Sequence, residues 1–396
     1  MAVPQTPPLP APRQMVPRLL SWFADHARDL PWRRTRDPYA IWVSEIMLQQ
    51  TRVETVIPYW ERWLRALPDI PTLARAKPAQ LHKLWEGLGY YSRVRNLQRA
   101  ARLIVEQHGG VFPRDFEAIL ALPGIGRYTA GAIASIAFNQ PAPILDGNVI
   151  RVLTRLHGIA GDPREKQTNT RLWQLAEELV TQASRIRSSK PEIRNAKRAT
   201  LLPCSALNQS LMELGALICT PRAPDCPACP LAKVCVARRT NRVEQLPFRP
   251  GRPAPTARRF VVFVLGHEGR FLVQQRPPGA VNAHLWEFPN LEVSADADPN
   301  DAARQWWQAF GAAGREAGHF DSSGPVRLTP LVTIQHAITR FRIRAEAYRV
   351  SFTGPPPSGC WRTPAQLRRL AFTAAHRRIA DTLPAAKRAP IGQNAV

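Results

Sequence analysis

Leu122-Pro123-Gly124-Ile125-Gly126-Arg127-Tyr128-Thr129-Ala130-Gly131, followed by Ile144-Leu145-Asp146-Gly147-Asn148-Val149, decides how the rest of this chain folds. Residues 116–121 lead in helically, Pro123 and Gly124 break the chain, and residues 127–138 resume a helix. Glycines at such a break let the backbone turn tightly and approach a ligand closely. The first turn of the second helix points unpaired N–H groups outward, an arrangement suited to an anion. Asp146 then stands at the head of the next helix. Two readings follow from this stretch alone: a phosphate grip beside a functional carboxylate, or an ordinary helix–helix connection with Asp146 as an N-cap.

Composition narrows the classes. At 396 residues and 44% apolar, the chain has room for two or three domains and a sizeable core. No run of about twenty apolar residues occurs, so no membrane span is expected. Residues 1–14 are proline-rich without an apolar core segment and are expected to be a disordered lead-in rather than a signal peptide. The net charge of +24 and pI near 11.1 create a field that favours polyanions, nucleic acid above all. An arginine-rich bias in composition accounts for part of this excess. Six cysteines, four of them crowded together, argue for a metal site in a reducing compartment rather than for disulfides.

Residues 15–26 are amphipathic and predict a helix, which Pro31-Trp32-Arg33-Arg34 breaks with two cations behind an indole. Residues 39–53 predict a second helix, in which Glu45 shares a face with Ile41 and Leu48. A carboxyl among apolar neighbours has a raised pKa and suits a general acid. From the helix alone, a Glu at the rim reaching water is the simpler reading. Gln49-Gln50-Thr51 offers amides able to enter a base stack or read base edges. Trp85-Glu86-Gly87-Leu88-Gly89-Tyr90-Tyr91-Ser92-Arg93 leads into a helix bearing Arg95, Arg99 and Arg102, a pattern suited to base stacking beside a phosphate track. Tyr91 reads equally well as packing in a helix seam.

Helices are expected over 149–156 and 173–181, and a basic loop or insertion over 184–198. A helix through Asn208-Gln209-Ser210-Leu211-Met212-Glu213-Leu214-Gly215 runs into Cys219, Cys226, Cys229 and Cys235. Zinc sites usually pair their ligands twice across a longer knuckle. Here only Cys226 and Cys229 form a short pair and all four fit one compact loop, which favours a structural [4Fe–4S] cluster. Residues 236–259 read as an extended, proline- and arginine-rich linker. Beyond it, strands over 260–265 and 270–275 flank His267-Glu268-Gly269 as a hairpin. A helix over 301–310 and strands near 331–334 and 341–350 complete a mixed α/β domain, and residues 385–396 look frayed.

Taken together, the hairpin glycines, Asp146 and the six-two-five cysteine intervals resemble the endonuclease III superfamily of DNA glycosylases. Within it, Val43-Ser44-Glu45-Ile46-Met47-Leu48-Gln49-Gln50-Thr51, Gly87-Leu88-Gly89-Tyr90-Tyr91 and Leu145-Asp146-Gly147-Asn148 are similar to the MutY-type adenine glycosylases. The resemblance covers about residues 15–380. It implies an all-α helix–hairpin–helix glycosylase domain with a [4Fe–4S] loop over 15–236, a linker over 237–258, a Nudix-like α/β domain over 259–384 that recognises 8-oxoguanine, and a tail over 385–396.

The same resemblance implies roles. Glu45 protonates adenine, Asp146 stabilises the sugar cation or bonds to it transiently, and Tyr128 and Asn148 support Asp146. Trp32, Arg33 and Gln209 line the adenine pocket. Tyr90, Gln50 and Leu48 wedge the stack, with Gln49, Thr51 and Arg93 beside the DNA. Backbone groups around Leu122, Gly124 and Gly126 grip a phosphate, with room for a monovalent or divalent cation. The bifunctional relatives carry a lysine where Tyr128 stands, so a monofunctional enzyme with little lyase activity is expected. The implied partner is double-stranded DNA with an adenine:8-oxoguanine or adenine:guanine mispair, met by a monomer in the bacterial cytoplasm at the nucleoid, with no membrane involved.

Two departures qualify this. The family's lesion-reading loop often ends Phe-Ser-His, whereas this chain has Ile338-Thr339-Arg340 after His336-Ala337. The basic stretch 184–203 is longer than usual and reads best as a surface insertion. No glutamate-rich Nudix box occurs in 258–380, so pyrophosphohydrolase activity is not expected. The competing classes are a relative acting on another mispaired or damaged base, a non-catalytic DNA binder, and a zinc-containing nucleic-acid binder. The Nudix-like domain argues against the first and the pair Glu45 and Asp146 against the second.

Overall fold

The computed structural model describes residues 9–186, 202–251, 254–314, 327–338, 340–352 and 356–384. Its contacts divide the chain into two units, Met1–Ala76 with Arg95–Gly251 and Lys77–Val94 with Arg252–Val396. No helix is long and apolar enough to cross a membrane among the described residues.

The first unit is helical. Its first helix spans Pro12–His26 and so opens earlier than the expected residue 15, because Pro12 and the extended Ala11 satisfy the geometry of a helix start. Helix Pro203–Leu217 packs against Pro12–His26, Arg127–Phe138, Gly147–His157 and Lys166–Ser184. Leu207, Leu211, Leu214, Val149, Leu153 and Leu175 are among the side chains that meet there, each contributing about 1.5–3 kcal/mol by leaving water. Asn139 links two of these helices. In the left-handed region at φ +54°, it ends Arg127–Phe138, while its side-chain oxygen accepts from the N–H groups of Cys204 (3.0 Å) and Ser205 (3.2 Å). The basic insertion expected over 184–198 falls mostly outside the described residues.

Helix Pro38–Leu48 is capped by Asp37, whose carboxylate accepts from the Tyr39 and Ala40 N–H groups. Every residue from Tyr39 to Met47 is buried, so the helix is enclosed on all sides rather than lying on a surface. It stops at Leu48, five residues short of the expected end. Gln50 turns the chain at φ +59°, and a new helix, Val53–Ala66, begins beyond Arg52.

The second unit combines helix Pro78–Trp85 with a mixed sheet. Its strands are β1 Thr256–His267, β2 Arg270–Gln275, β3 Trp286–Glu287, β4 Asn290–Val293, β5 Arg327–Ile338, β6 Phe341–Ser351 and β7 Cys360–Arg362. The order is β3-β2-β1-β6-β5, with β4 on β1 and β7 on β2. β1 and β6 run parallel and the other pairs antiparallel. The β1–β2 turn places Glu268 at φ +48° and Gly269 at φ +72°, the two positive angles of a tight hairpin. Both faces of β1 are covered, which explains its unbroken apolar run from Val261 to Leu265. Val262 and Val264 face Phe372, Ala375 and Ile379, while Val261, Phe263 and Leu265 face Ala303 and Trp307. The linker expected to be extended over 236–259 instead begins with helix Val236–Arg239 and ends inside β1, because residues from Thr256 onward pair with β6.

Candidate active site

Within the first unit, the starts of helices Arg127–Phe138 and Gly147–His157, the end of helix Pro38–Leu48, the middle of helix Pro203–Leu217 and the 3-10 turn Pro31–Arg33 converge on a pocket of about 560 Å³. It is lined by Trp32, Arg33, Glu45, Leu48, Gln49, Gln50, Thr51, Tyr128, Asp146, Asn148 and Gln209, all proposed from sequence. That volume is of the size that small-molecule sites use.

Glu45 is not at a rim. It is 5% exposed, on the enclosed helix, and the Tyr128 hydroxyl donates to its Oε2 at 2.8 Å. Burial pushes its pKa up to about 7; the nearby Asp146 charge adds to this, and the Tyr128 bond and Arg33 oppose it. Tyr128 is itself raised well above its usual value, by burial and by the two carboxylates.

Asp146 caps helix Gly147–His157 and is half-buried at the pocket wall. It accepts from the Val149 N–H at 2.7 Å and from the Asn148 amide at 2.9 Å. Burial raises its pKa, while those two donors and Arg151 favour the charged form. Asn148 is held from the other side: its Oδ1 accepts from Arg151 Nη2 at 2.7 Å. A guanidinium only donates, so Asn148 must turn its amide nitrogen toward Asp146. Arg151 also donates to the carbonyls of Gly215 (2.7 Å) and Cys219 (2.6 Å). A Cβ at Gly215 would come within 2.6 Å of Asn148 Cβ, so only glycine admits this approach.

The sequence reading missed Arg28 and Glu213. Glu213 is 1% exposed and accepts from Arg28 through its N–H (2.9 Å), Nε (2.9 Å) and Nη2 (2.8 Å), and from Arg33 Nη2 at 2.9 Å. Burial works to raise its pKa, but the two arginines outweigh it and hold it at about 2. The available signal was a carboxylate inside the apolar run Leu211-Met212-Glu213-Leu214. Trp32 is buried edge-on against Trp60, and Gln209 donates to Ser205 Oγ at 3.0 Å.

The hairpin residues Leu122, Gly124 and Gly126 are not among those lining the pocket. Gly124 sits at φ +81° directly over Asn96, where a Cβ would approach to 2.6 Å. Gly126 starts helix Arg127–Phe138 without a side-chain cap, and nothing lies within 4 Å of where its Cβ would be. In the second unit, Tyr90 is 43% exposed, whereas Tyr91 is buried. Arg93 is buried under the Trp85 and Tyr90 rings, which lowers its pKa to about 10. Ile338 is 36% exposed at the end of β5, Arg340 lies over Phe341, and Thr339 falls outside the described residues.

Cys219, Cys226, Cys229 and Cys235 line one cavity together with Arg155 and Arg238. Among the described residues, no three His, Cys, Asp or Glu side chains are grouped to hold a single metal ion. Four cysteine thiols on one cavity are the donor set that a [4Fe–4S] cluster takes. Arg155 Nη1 donates to Cys219 Sγ at 3.4 Å.

Residues 43–178 match the HhH-GPD superfamily of base excision DNA repair proteins, and residues 260–382 match the NUDIX domain. The adenine DNA glycosylase of Rattus norvegicus is 34% identical over 422 residues, spanning 91% of this chain and 76% of its own length. That of Homo sapiens is 34% identical over 91% of this chain and 72% of its own. That of Buchnera aphidicola from Acyrthosiphon pisum is 35% identical over 70% and 75%. Among solved structures, a thermostable thymine-DNA glycosylase is 30% identical at a TM-score of 0.49, covering 58% of this chain and 97% of its own. A MutT NUDIX hydrolase from Burkholderia pseudomallei is 17% identical at a TM-score of 0.26, covering 33% and 99%.

Proposed function

The chain belongs to the adenine DNA glycosylases, and from that membership we propose that it flips adenine out of duplex DNA and hydrolyses its N-glycosidic bond where adenine is mispaired with 8-oxoguanine or guanine. The observation that carries this reading is the pair Glu45 and Asp146, two carboxyl groups on one pocket, the first buried with a single hydroxyl donor and the second at a helix start with two nitrogen donors. Cleaving this bond needs a proton for a poor leaving group and a negative charge for an oxocarbenium-like sugar, and two carboxyls that differ in their hydrogen-bond donors can supply both.

Glu45, half protonated near pH 7, gives its proton to a ring nitrogen of the extruded adenine. The C1′–N9 bond breaks with its electron pair leaving on adenine. Asp146, ionised and fixed by Val149 and Asn148, stabilises the sugar cation or bonds to it transiently until water adds to C1′ and loses a proton. Trp32, Arg33 and Gln209 hold the adenine, with Arg33 set in place by Glu213. Extrusion itself costs a few kcal/mol. Tyr90, Leu48 and Gln50 occupy or wedge the vacated stack, and Gln49, Thr51 and Arg93 accompany the strand. The hairpin backbone at Leu122, Gly124 and Gly126 would take a phosphate, together with a monovalent or divalent cation. Ile338, Thr339 and Arg340 read the opposite base.

Tyr128 carries a phenol where a Schiff base would need an amine, so the reaction ends at base release without strand cleavage. Cys219, Cys226, Cys229 and Cys235 would hold a [4Fe–4S] cluster, which would cross-link the loop that carries them. The enzyme acts as a monomer.

Single-turnover adenine release from duplexes carrying adenine opposite 8-oxoguanine, guanine or thymine tests the reading, each sample being split with and without alkali. The expected result is fastest release opposite 8-oxoguanine, with strand breaks only after alkali. No adenine release from any of the three duplexes would refute it.

A further inference from the structure

Tyr90 is presented on a loop that is built before any DNA arrives. Gly87 and Gly89 take φ +101° and φ +71°, and Tyr90 itself φ +47°, a conformation that ordinary side chains adopt only when their surroundings enforce it. The enforcement is visible. Trp85 Nε1 donates to the Gly89 carbonyl at 3.0 Å, and Arg93 Nη2 donates to the carbonyls of Leu88 (2.9 Å) and Gly89 (3.1 Å). Helix Pro78–Trp85, which precedes the loop, is fastened to the far end of the chain. Glu86 Oε1 accepts from the Phe372 N–H at 2.9 Å and from Arg377 Nε at 2.8 Å. Lys83 reaches the Leu370 carbonyl at 3.2 Å, and the His82 ring stacks on His284.

Arg377 is thereby fixed at several points. Its Nη2 also donates to the carbonyls of Leu367 (3.2 Å) and Leu370 (2.6 Å), and its guanidinium lies over the Phe372 ring. It belongs to helix Ala374–Ala380, which packs on β5. β5 ends at Ile338, the first residue of the hairpin assigned to the opposite base. A continuous set of contacts therefore runs from the Tyr90 loop through Glu86, Arg377 and its helix to β5.

We infer that the Glu86–Arg377 pair is a positioning clamp that makes the Tyr90 wedge and the Ile338–Arg340 reader parts of one body, so that the pair sets the preference for 8-oxoguanine over guanine opposite adenine. The inference rests on the proposed reading of Tyr90 as the wedge. A wedge and a reader that move as one engage the opposite base together, and a wrong fit at the reader displaces the wedge. A wedge carried separately inserts beside either base equally well. The two carboxylates of the chemical step are not in this body, so the clamp acts on discrimination and not on bond cleavage.

The test uses the full chain with Arg377→Met, Arg377→Lys, Glu86→Gln and Tyr90→Ala. Two quantities are measured: adenine release and affinity on 8-oxoguanine and guanine duplexes, and the fluorescence of 2-aminopurine placed beside the opposite base, which reports wedge insertion without catalysis. For Arg377→Met the preference for 8-oxoguanine should fall about tenfold, within the range for coupled neighbours. The fall should come from the 8-oxoguanine duplex, with saturated release opposite guanine unchanged. The fluorescence signal should drop in parallel, and Arg377→Lys should restore part of both. Glu86→Gln keeps an acceptor for the Phe372 N–H and should show the same direction if Arg377→Met does not fold. A preference intact in a folded clamp variant, alongside a Tyr90→Ala variant that loses the fluorescence signal, overturns the clamp. A fluorescence signal unchanged by Tyr90→Ala overturns the wedge reading and the clamp with it.

Discussion

Replacing Tyr128 with Phe removes one hydroxyl and should move the pH profile of adenine release in a direction that few active-site substitutions produce. The hydroxyl donates to Glu45 at 2.8 Å, and a bond of this kind favours the ionised carboxylate. It therefore holds Glu45 down against burial, and the two together leave it at about 7. Hydrogen bonds to charged groups contribute about 1.5–3 kcal/mol. At about 1.36 kcal/mol per unit, losing this one raises Glu45 by roughly one to two units. In the proposed mechanism the protonated acid is the active form, so the alkaline limb of the single-turnover rate should shift upward by the same amount. The variant should then outperform the wild type at alkaline pH. The assay is adenine release at saturating enzyme across the pH range, with Glu45→Gln as a control that has no such limb. An alkaline limb that stays in place, or moves to lower pH, refutes the argument.

The same carboxyl opposes folding in a pH-dependent way. Its folded pKa of about 7 lies above the ordinary 4.5, so the folded state binds the proton more tightly and stability is lost as pH rises through that window, by up to about 3 kcal/mol. Glu45→Gln should accordingly be more stable than the wild type at pH 8 and not at pH 4, as read by denaturant unfolding. Asp146→Asn should keep its fold, since asparagine caps helices as well as aspartate does, while adenine release falls by a factor on the order of a hundred or more. Glu213→Ala leaves Arg28 and Arg33 facing each other in the pocket and should cost about 3–5 kcal/mol in chemical unfolding. In the wild type that contribution is present above pH 4.5 and lost as pH falls toward about 2. Gly124→Ala meets Asn96 at 2.6 Å in a left-handed conformation, so duplex affinity should fall, measured by fluorescence anisotropy, while the pH midpoint of release stays in place.

What was legible in the sequence was local. The hairpin glycines, the helix that follows them and the Asp146 cap are set by residues adjacent in the chain, as is the two-residue turn between β1 and β2. Glu45 was recognisable as a carboxyl among apolar residues, but its burial depends on neighbours covering every side of helix Pro38–Leu48, which periodicity along that helix does not record. The end of that helix at Leu48 was missed because Gln50, not a glycine or proline, makes the turn. Glu213 escaped because its partners lie 180 and 185 positions away. The first residues of β1 read as linker because their strand character comes from pairing with β6, more than eighty residues later. Thr256, Ala257, Arg258 and Arg259 gave no alternation to detect.

The contacts between Glu86 and Phe372 and between Glu86 and Arg377 span 286 and 291 residues. Chains emerge from the ribosome at about 5–20 residues per second, so roughly 15–60 s separate the synthesis of the loop from the synthesis of its anchor. Throughout that interval Gly87, Gly89 and Tyr90 are held only by Trp85 and Arg93, without the anchor that Glu86 finds on Phe372 and Arg377. The loop is therefore among the last parts of the molecule to mature. A chain released early, or cut before residue 377, would carry both carboxylates of the pocket and the cysteine loop while the Tyr90 loop lacked its anchor on Arg377.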